Sequence, residues 1–215
     1  DAQYTDLIHR AQLDVTNAEI SFTAPLSFNK EIEKGDIYVR DLFKIYRYEN
    51  LMYTMKLGGQ EIEDYLEYSY GLWFDQMNDA GDHLLSFKTN ASGKVVPVNG
   101  RVKLKNAYYN FDNAEGINYT VDITKPVGER IHIISMTNGK PFDLNKTYKV
   151  AINSYRGNGG GGHLTAGAKI RTELLSDIIV ANTDKDFRYY LMEWIVKQGE
   201  VKPTVNNNWK VIPEE

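Results

Sequence analysis

Five of the six residues 157–162 are glycine, and they follow directly on an alternating run, Thr147, Tyr148, Lys149, Val150, Ala151 and Ile152. No other feature restricts the fold as much. The alternation predicts a strand, and the glycines behind it allow positive φ and close approach of the backbone to a neighbour. Tyr155 and Arg156 stand at the mouth of this loop. A strand ending in such a loop is suited to holding a ligand, and the competing reading is a connection in which Tyr155 is the last core residue of the strand.

The 215 residues suffice for one large or two small domains, and helices and strands mix along the chain with no repeat or low-complexity linker. The expectation is a single domain over residues 1–215, mixed α/β in the α+β sense, with mixed sheets flanked by helices. Twenty-five basic and 29 acidic residues leave a net charge of −4. That balance argues against a nucleic-acid polymer or a membrane surface as partner and favours a small ligand or a protein. The absence of cysteine excludes disulfides, thiolate metal sites and cysteine nucleophiles. No stretch has the length of a membrane span. Asp1 opens the chain without methionine, a charged leader or an apolar signal core, so either an upstream segment was removed or the chain was cut.

Tyr4, Leu7, Ile8, Ala11 and Val15 form one helical stripe, with Asp6, Arg10 and Asp14 on the polar face. Residues 19–23 alternate as a short strand, ended by Ala24-Pro25. Residues 37–46 read as a brief strand running into a helical turn, followed by Tyr46-Arg47-Tyr48-Glu49-Asn50. Leu51, Tyr53, Met55 and Leu57 share one face of a strand closed by Gly58-Gly59. Ile62, Tyr65, Leu66, Ser69 and Trp73 then define a helix whose outward face is assigned Glu61, Glu63, Asp64, Glu67 and Tyr68. Two strands at 117–123 and 131–136 read as a hairpin, with His132 outward or satisfied by a neighbour. Asn138-Gly139 marks a turn. A helical stripe over 169–179, a last helix from Asp186 to about Gly199, and an extended polar tail over 203–209 complete the reading.

Catalytic signatures are absent. Gly157, Gly159 and Gly162 formally satisfy a dinucleotide fingerprint, which a tetraglycine meets trivially, and no helix opens at once behind it. There is no P-loop, no histidine pair at metal spacing and no nucleophile elbow. Asp75, Asp79 and Asp82 lack the remaining ligands of a calcium loop. The excess is aromatic. Fifteen tyrosines suit stacking on a nucleobase.

Four runs carry a resemblance: residues 20–29 (Ile-Ser-Phe-Thr-Ala-Pro-Leu-Ser-Phe-Asn), 39–50 (Val-Arg-Asp-Leu-Phe-Lys-Ile-Tyr-Arg-Tyr-Glu-Asn), 109–112 (Tyr-Asn-Phe-Asp) and 153–162 (Asn-Ser-Tyr-Arg-Gly-Asn-Gly-Gly-Gly-Gly). Together, and in this order over essentially the whole chain, they resemble the C-terminal domain of the bacterial 5'-nucleotidase family. They are most similar to the branch of 2',3'-cyclic-nucleotide 2'-phosphodiesterase/3'-nucleotidases. The resemblance implies a periplasmic, cell-envelope or secreted phosphohydrolase. An N-terminal metallophosphatase domain, not in this chain, would hold two divalent metal ions there, and the C-terminal domain would clamp a nucleoside, nucleotide or cyclic nucleotide without a cofactor of its own. It implies a base sandwiched between Tyr48 and Tyr155. Asn50, Asn29, Arg156, Asn153, Gly159 and Gly160 are the further substrate-binding candidates, and no catalytic or metal-binding residue is expected here. Relatives cleaving 5'-nucleotides carry Asn-Gly-Gly-Gly-Ile-Arg where this chain has residues 24–29, so Asn29 replaces their arginine, which favours the cyclic branch. Those relatives often have an aspartate facing the ribose where Gly161 stands, so ribose recognition falls to Asn153 or Asp112. The alternative from another functional class is a free-standing, non-enzymatic nucleoside-binding or interaction module.

Overall fold

The computed structural model describes residues 2–27, 30–82 and 84–213. Its frame is a five-stranded mixed sheet, β3-β1-β6-β2-β7, formed by β1 (Ile20–Thr23), β2 (Met52–Gly58), β3 (Asn113–Glu115), β6 (Thr147–Asn153) and β7 (Ile179–Asn182). The strand leading to the glycines is central. β6 pairs parallel to β1 and antiparallel to β2 along its whole length, from Met52↔Asn153 to Gly58↔Thr147. A second, three-stranded sheet has the order β5-β4-β8, from β4 (Ile117–Asp122), β5 (Ile131–Met136) and β8 (Trp209–Ile212). The predicted hairpin is its β4–β5 pair, and His132 is exposed on it.

Helices cover both faces of the large sheet. On one side α3 (Gly59–Trp73) packs Ile62, Tyr65 and Leu66 with Met55, Leu57, Val150 and Ile152, in a core that continues into the small sheet through Ile117, Tyr119 and Val121. Phe22 and Tyr65 stack at 4.1 Å, and Trp73 stacks on Phe111 at 4.4 Å. On the other side α1 (Gln3–Thr16), α2 (Val39–Ile45) and α5 (Phe187–Gln198) enclose Ile8, Ala11, Leu42, Ile45, Met52, Ala151, Phe187 and Leu191. Met52 therefore faces one core and Met55 and Leu57 the other. A sheet buried on both faces needs apolar residues at both parities of its strands.

Several expectations are corrected. Residues 37–38 are not a strand. The helix α2 starts at Val39, and the Asp41 carboxylate accepts the Tyr38 N–H at 3.0 Å, which caps the first turn. The stripe over 169–179 is a 3-10 helix, Thr172–Ile178. Glu67 is buried instead of outward, accepting the N–H groups of Gly128 (2.7 Å) and Ile131 (2.6 Å), and so ties α3 to the β4–β5 connection. Asp6, assigned to the polar face of α1, is also buried and accepts the Asn206 N–H at 3.0 Å. The polar tail is thereby seated: Asn208 donates to the carbonyls of Ala114 and Ile117, both at 2.8 Å, and delivers β8 parallel to β4. A parallel strand at the end of the chain leaves no local turn signal, and β3 has only three residues in which to show a period.

Candidate functional site

The mouth beyond the C-terminal end of β6 is assembled from three described segments of the resemblance. Asn153 caps the single turn α4 (Ser154–Gly157), its Oδ1 accepting the Arg156 N–H at 2.9 Å. Ser154 joins this turn to the segment carrying Tyr48. Its N–H donates to the Leu51 carbonyl at 2.8 Å, and its Oγ accepts the Leu51 N–H at 3.1 Å. Residues 46–50 are held from the other side by α5. The Phe187 N–H donates to the Asn50 carbonyl (2.8 Å), and Arg188 donates to the Arg47 carbonyl (3.0 Å) and to Glu49 Oε1 (3.1 Å). Tyr46 is fully buried edge-on against Phe187 at 4.9 Å.

The segments that carry Tyr48 and Tyr155 thus meet at one mouth. Tyr48 is half-buried and Tyr155 is 49% exposed. Neither ring is the terminal core residue of a strand, and among the described residues the two make no ring contact with each other. Burial raises the Tyr48 phenol above its usual value; the Arg47 guanidinium, 5.6 Å from its ring, opposes this, and the phenols of Tyr108, Tyr109 and Tyr155 add to it. Asn50 is half-buried beside them, its Nδ2 donating to Tyr46 Oη at 3.5 Å. Asn29 lies outside the described residues.

Arg156 has a different place from the one the sequence assigned. It is 2% exposed, and each guanidinium N–H is used within the protein. Nε donates to Asp112 Oδ2 (3.1 Å), Nη1 to Asn110 Oδ1 (3.2 Å) and the Gly160 carbonyl (3.1 Å), and Nη2 to the Tyr109 carbonyl (2.7 Å) and Asp112 Oδ1 (2.9 Å). A guanidinium carries five N–H donors, so none is left for a ligand. Burial by itself would raise Asp112, but the Arg156 charge overrides it and holds the carboxyl below its ordinary range. Burial likewise opposes the Arg156 charge, and Asp112 reverses that too. Tyr65 Oη and Arg156 engage the Asp112 carboxylate at 1% exposure, which leaves Asp112 a buried anchor without access to a ribose. Asn153 Nδ2 makes no hydrogen bond among the described residues, so that amide keeps a donor at the mouth.

The glycine loop is a packed element. Gly159, Gly161 and Gly162 all have positive φ. A Cβ on Gly160 would lie 2.5 Å from the Tyr155 carbonyl and 2.6 Å from its ring, and one on Gly161 would lie 2.1 Å from Arg156 Nη1. The first allows Tyr155 to lie against the loop with its other face outward. The second shows why no aspartate stands at 161: the guanidinium occupies the space in which such a side chain would start.

Sequence reasoning missed the residues that hold this mouth. Phe187, Arg188 and His163 carry no motif, and Ser154 lies in the 153–162 run without being singled out there. His163 is buried, donates from Nε2 to the Asn110 carbonyl at 3.0 Å, and is depressed to about 4 by burial. A buried relay, Ser21 Oγ to His9 Nδ1 and His9 Nε2 to Asn113 Oδ1, both 2.9 Å, has the connectivity of a nucleophile triad. With Ser21 at 0% exposure no substrate reaches it. Two surface concavities of about 280 and 310 Å³ lie elsewhere, one lined by Arg10, Asp14, Trp194 and Lys202, the other by residues 31–44.

A model of the family described as 5'-nucleotidase, C-terminal domain, matches residues 1–168. The trifunctional nucleotide phosphoesterase protein YfkN of Bacillus subtilis is 32% identical over 202 residues, covering 87% of this chain and 12% of that protein. A 2',3'-cyclic-nucleotide 2'-phosphodiesterase/3'-nucleotidase of Salmonella typhimurium is 31% identical over 225 residues, covering 94% of this chain and 31% of the other. The chain thus spans less than a third of these relatives. The structure of a 5'-nucleotidase precursor from Thermus thermophilus superposes with a TM-score of 0.67 at 20% identity, over 97% of this chain and 35% of that one, a likeness of fold. Since the matched residues include both tyrosine segments, the 109–112 run and the glycine loop, the chain belongs to the 5'-nucleotidase C-terminal domain family.

Proposed function

We propose that residues 1–215 are one domain that binds the nucleoside part of a nucleotide or 2',3'-cyclic nucleotide, with the base stacked between Tyr48 and Tyr155. The observation that carries this reading is the pair itself: two accessible rings, out of contact with each other, on segments stitched together by Ser154 and Leu51. A π-face accepts any base, and each stacked ring contributes about 1–3 kcal/mol. Asn50 and Asn153 are the polar groups proposed to meet base or sugar, Gly160 supplies the backbone against Tyr155, and Gly159, beside Leu175 and Thr165, completes the turn of the loop. Arg156 belongs to the support of the site.

The domain works, in this reading, as the substrate-binding part of a longer, two-domain phosphohydrolase, in keeping with the small share of its relatives that it covers. Two divalent metal ions would supply activation of water. The described residues do not fit them, since no three His, Asp or Glu side chains among them gather where a metal ion could sit. No described helix is long and apolar enough to cross a membrane. A periplasmic or cell-envelope setting is part of the proposal.

Calorimetric titration of the chain with adenosine tests the site. Weak binding is expected, with Tyr48→Ala and Tyr155→Ala each lowering affinity about 5- to 100-fold. Equal affinity in both variants would falsify the sandwich.

A further inference from the structure

Two stacked rings cover the faces of a base and leave its edge open. Tyr109 is 41% exposed, edge-to-face with Tyr108 at 5.7 Å and 73°. Exposed tyrosines are usually mobile at the side chain, on backbone that nothing in particular holds. This one sits on backbone that is fixed three times over. Its own carbonyl accepts from Arg156 Nη2 at 2.7 Å, Asn110 Oδ1 accepts from Nη1 at 3.2 Å, and the Asn110 carbonyl accepts from His163 Nε2 at 3.0 Å. The same guanidinium lies 5.3 Å from the ring of Tyr155. Tyr109 and Tyr155 are thus referenced to one buried group, itself locked by Asp112. An accessible aromatic on clamped backbone is a pre-organised contact, because little freedom remains to be lost on binding.

We infer that Tyr109 is a third aromatic contact of the nucleoside slot, packing its ring against the edge of the nucleoside while Tyr48 and Tyr155 take the faces of the base. This rests on the stacking proposal above. It gives the buried Arg156–Asp112 pair a functional consequence, since the guanidinium holds the Tyr109 backbone and lies 5.3 Å from the ring of Tyr155.

The test is adenosine titration of Tyr109→Ala, Tyr109→Phe and Tyr155→Ala, each with a thermal melt. Tyr109→Ala is expected to weaken binding about 3- to 10-fold with an unchanged melting temperature, because the side chain is outside the core. Tyr109→Phe should bind within about twofold of the parent, since the ring is retained. If Tyr155→Ala weakens binding and Tyr109→Ala does not, the third contact is refuted while the sandwich stands. If neither weakens binding, the stacking proposal has failed and Tyr109 falls with it. A Tyr109→Phe variant as weak as Tyr109→Ala would overturn ring packing as the contact.

Discussion

Arg156 and His163 show how much burial changes the role of a residue. In the sequence Arg156 looks available to a ligand, as a cation beside a glycine loop, and His163 is an imidazole directly behind that loop. In the structure both are enclosed, and both hold the 108–112 segment. Breaking a buried ion pair leaves an uncompensated charge, so the Arg156–Asp112 pair says more about geometry than about net stability. His163 supports a quantitative expectation. Its folded value is about 4 against an ordinary 6.5, so between these pH values the unfolded chain binds the extra proton. Its contribution is complete above pH 6.5 and lost as pH falls towards 4, about 3 kcal/mol in all. Burial depresses His9 in the same direction. The melting temperature should be flat above pH 6.5 and decline below it, and the His163 ring resonance in NMR should not titrate until pH is near 4. A midpoint near 6.5 for that resonance would refute its burial as a neutral ring.

Among the elements, the glycine loop departs most from its sequence reading. A run of this composition suggests flexibility or a phosphate cradle, yet a single added Cβ fits at neither of its central positions, Gly160 and Gly161. The contrast with a free glycine separates two costs. Gly139 has φ +82° and nothing within 4 Å of a built Cβ, so Gly139→Ala should lose only the strain of a left-handed residue, about 1 kcal/mol. Gly161→Ala adds a 2.1 Å collision with a buried guanidinium, and about 3 kcal/mol or more is expected from strain and displacement together. Urea denaturation of the two variants measures the difference, and equal losses would mean that Arg156 yields easily. The helix α3 is instructive in the opposite sense. Its apolar stripe follows from the sequence, whereas the same pattern puts Glu67 in solvent, where a carboxylate on an amphipathic helix usually goes. Two orphan N–H groups of the β4–β5 connection bring it inside.

For the molecule as a whole, the layering decides where ligand chemistry is possible. Helices seal both faces of the five-stranded sheet, and the tyrosines gather at one end of its central strand, where ligands of open α/β sheets commonly bind. Nothing in the described chain assembles donors for a metal ion. On the proposed division of labour, added manganese or zinc should give no phosphatase turnover with 3'-AMP or 2',3'-cyclic AMP by these 215 residues alone. Turnover that tracks the protein through purification would show that the chemistry resides here after all.

The sequence by itself determined the elements with clear period: α1, β1, β2, α3, the β4–β5 hairpin, β6 and α5, together with the family and the two tyrosine segments. These are local patterns, in which each residue reports its own neighbours at two, three or four positions. Tertiary structure alone decided the burial of Met52 on the second face of β2, the seating of the tail through Asp6 and Asn208, the pairing of β8 with β4, and the conversion of Arg156 from candidate ligand contact to anchor. Each of these depends on a partner tens of residues away, such as Asp112 44 residues before Arg156 or Asn206 200 residues after Asp6. No local period encodes which distant donor meets which acceptor. Only packing settles whether a polar side chain is buried with its partners or left to water.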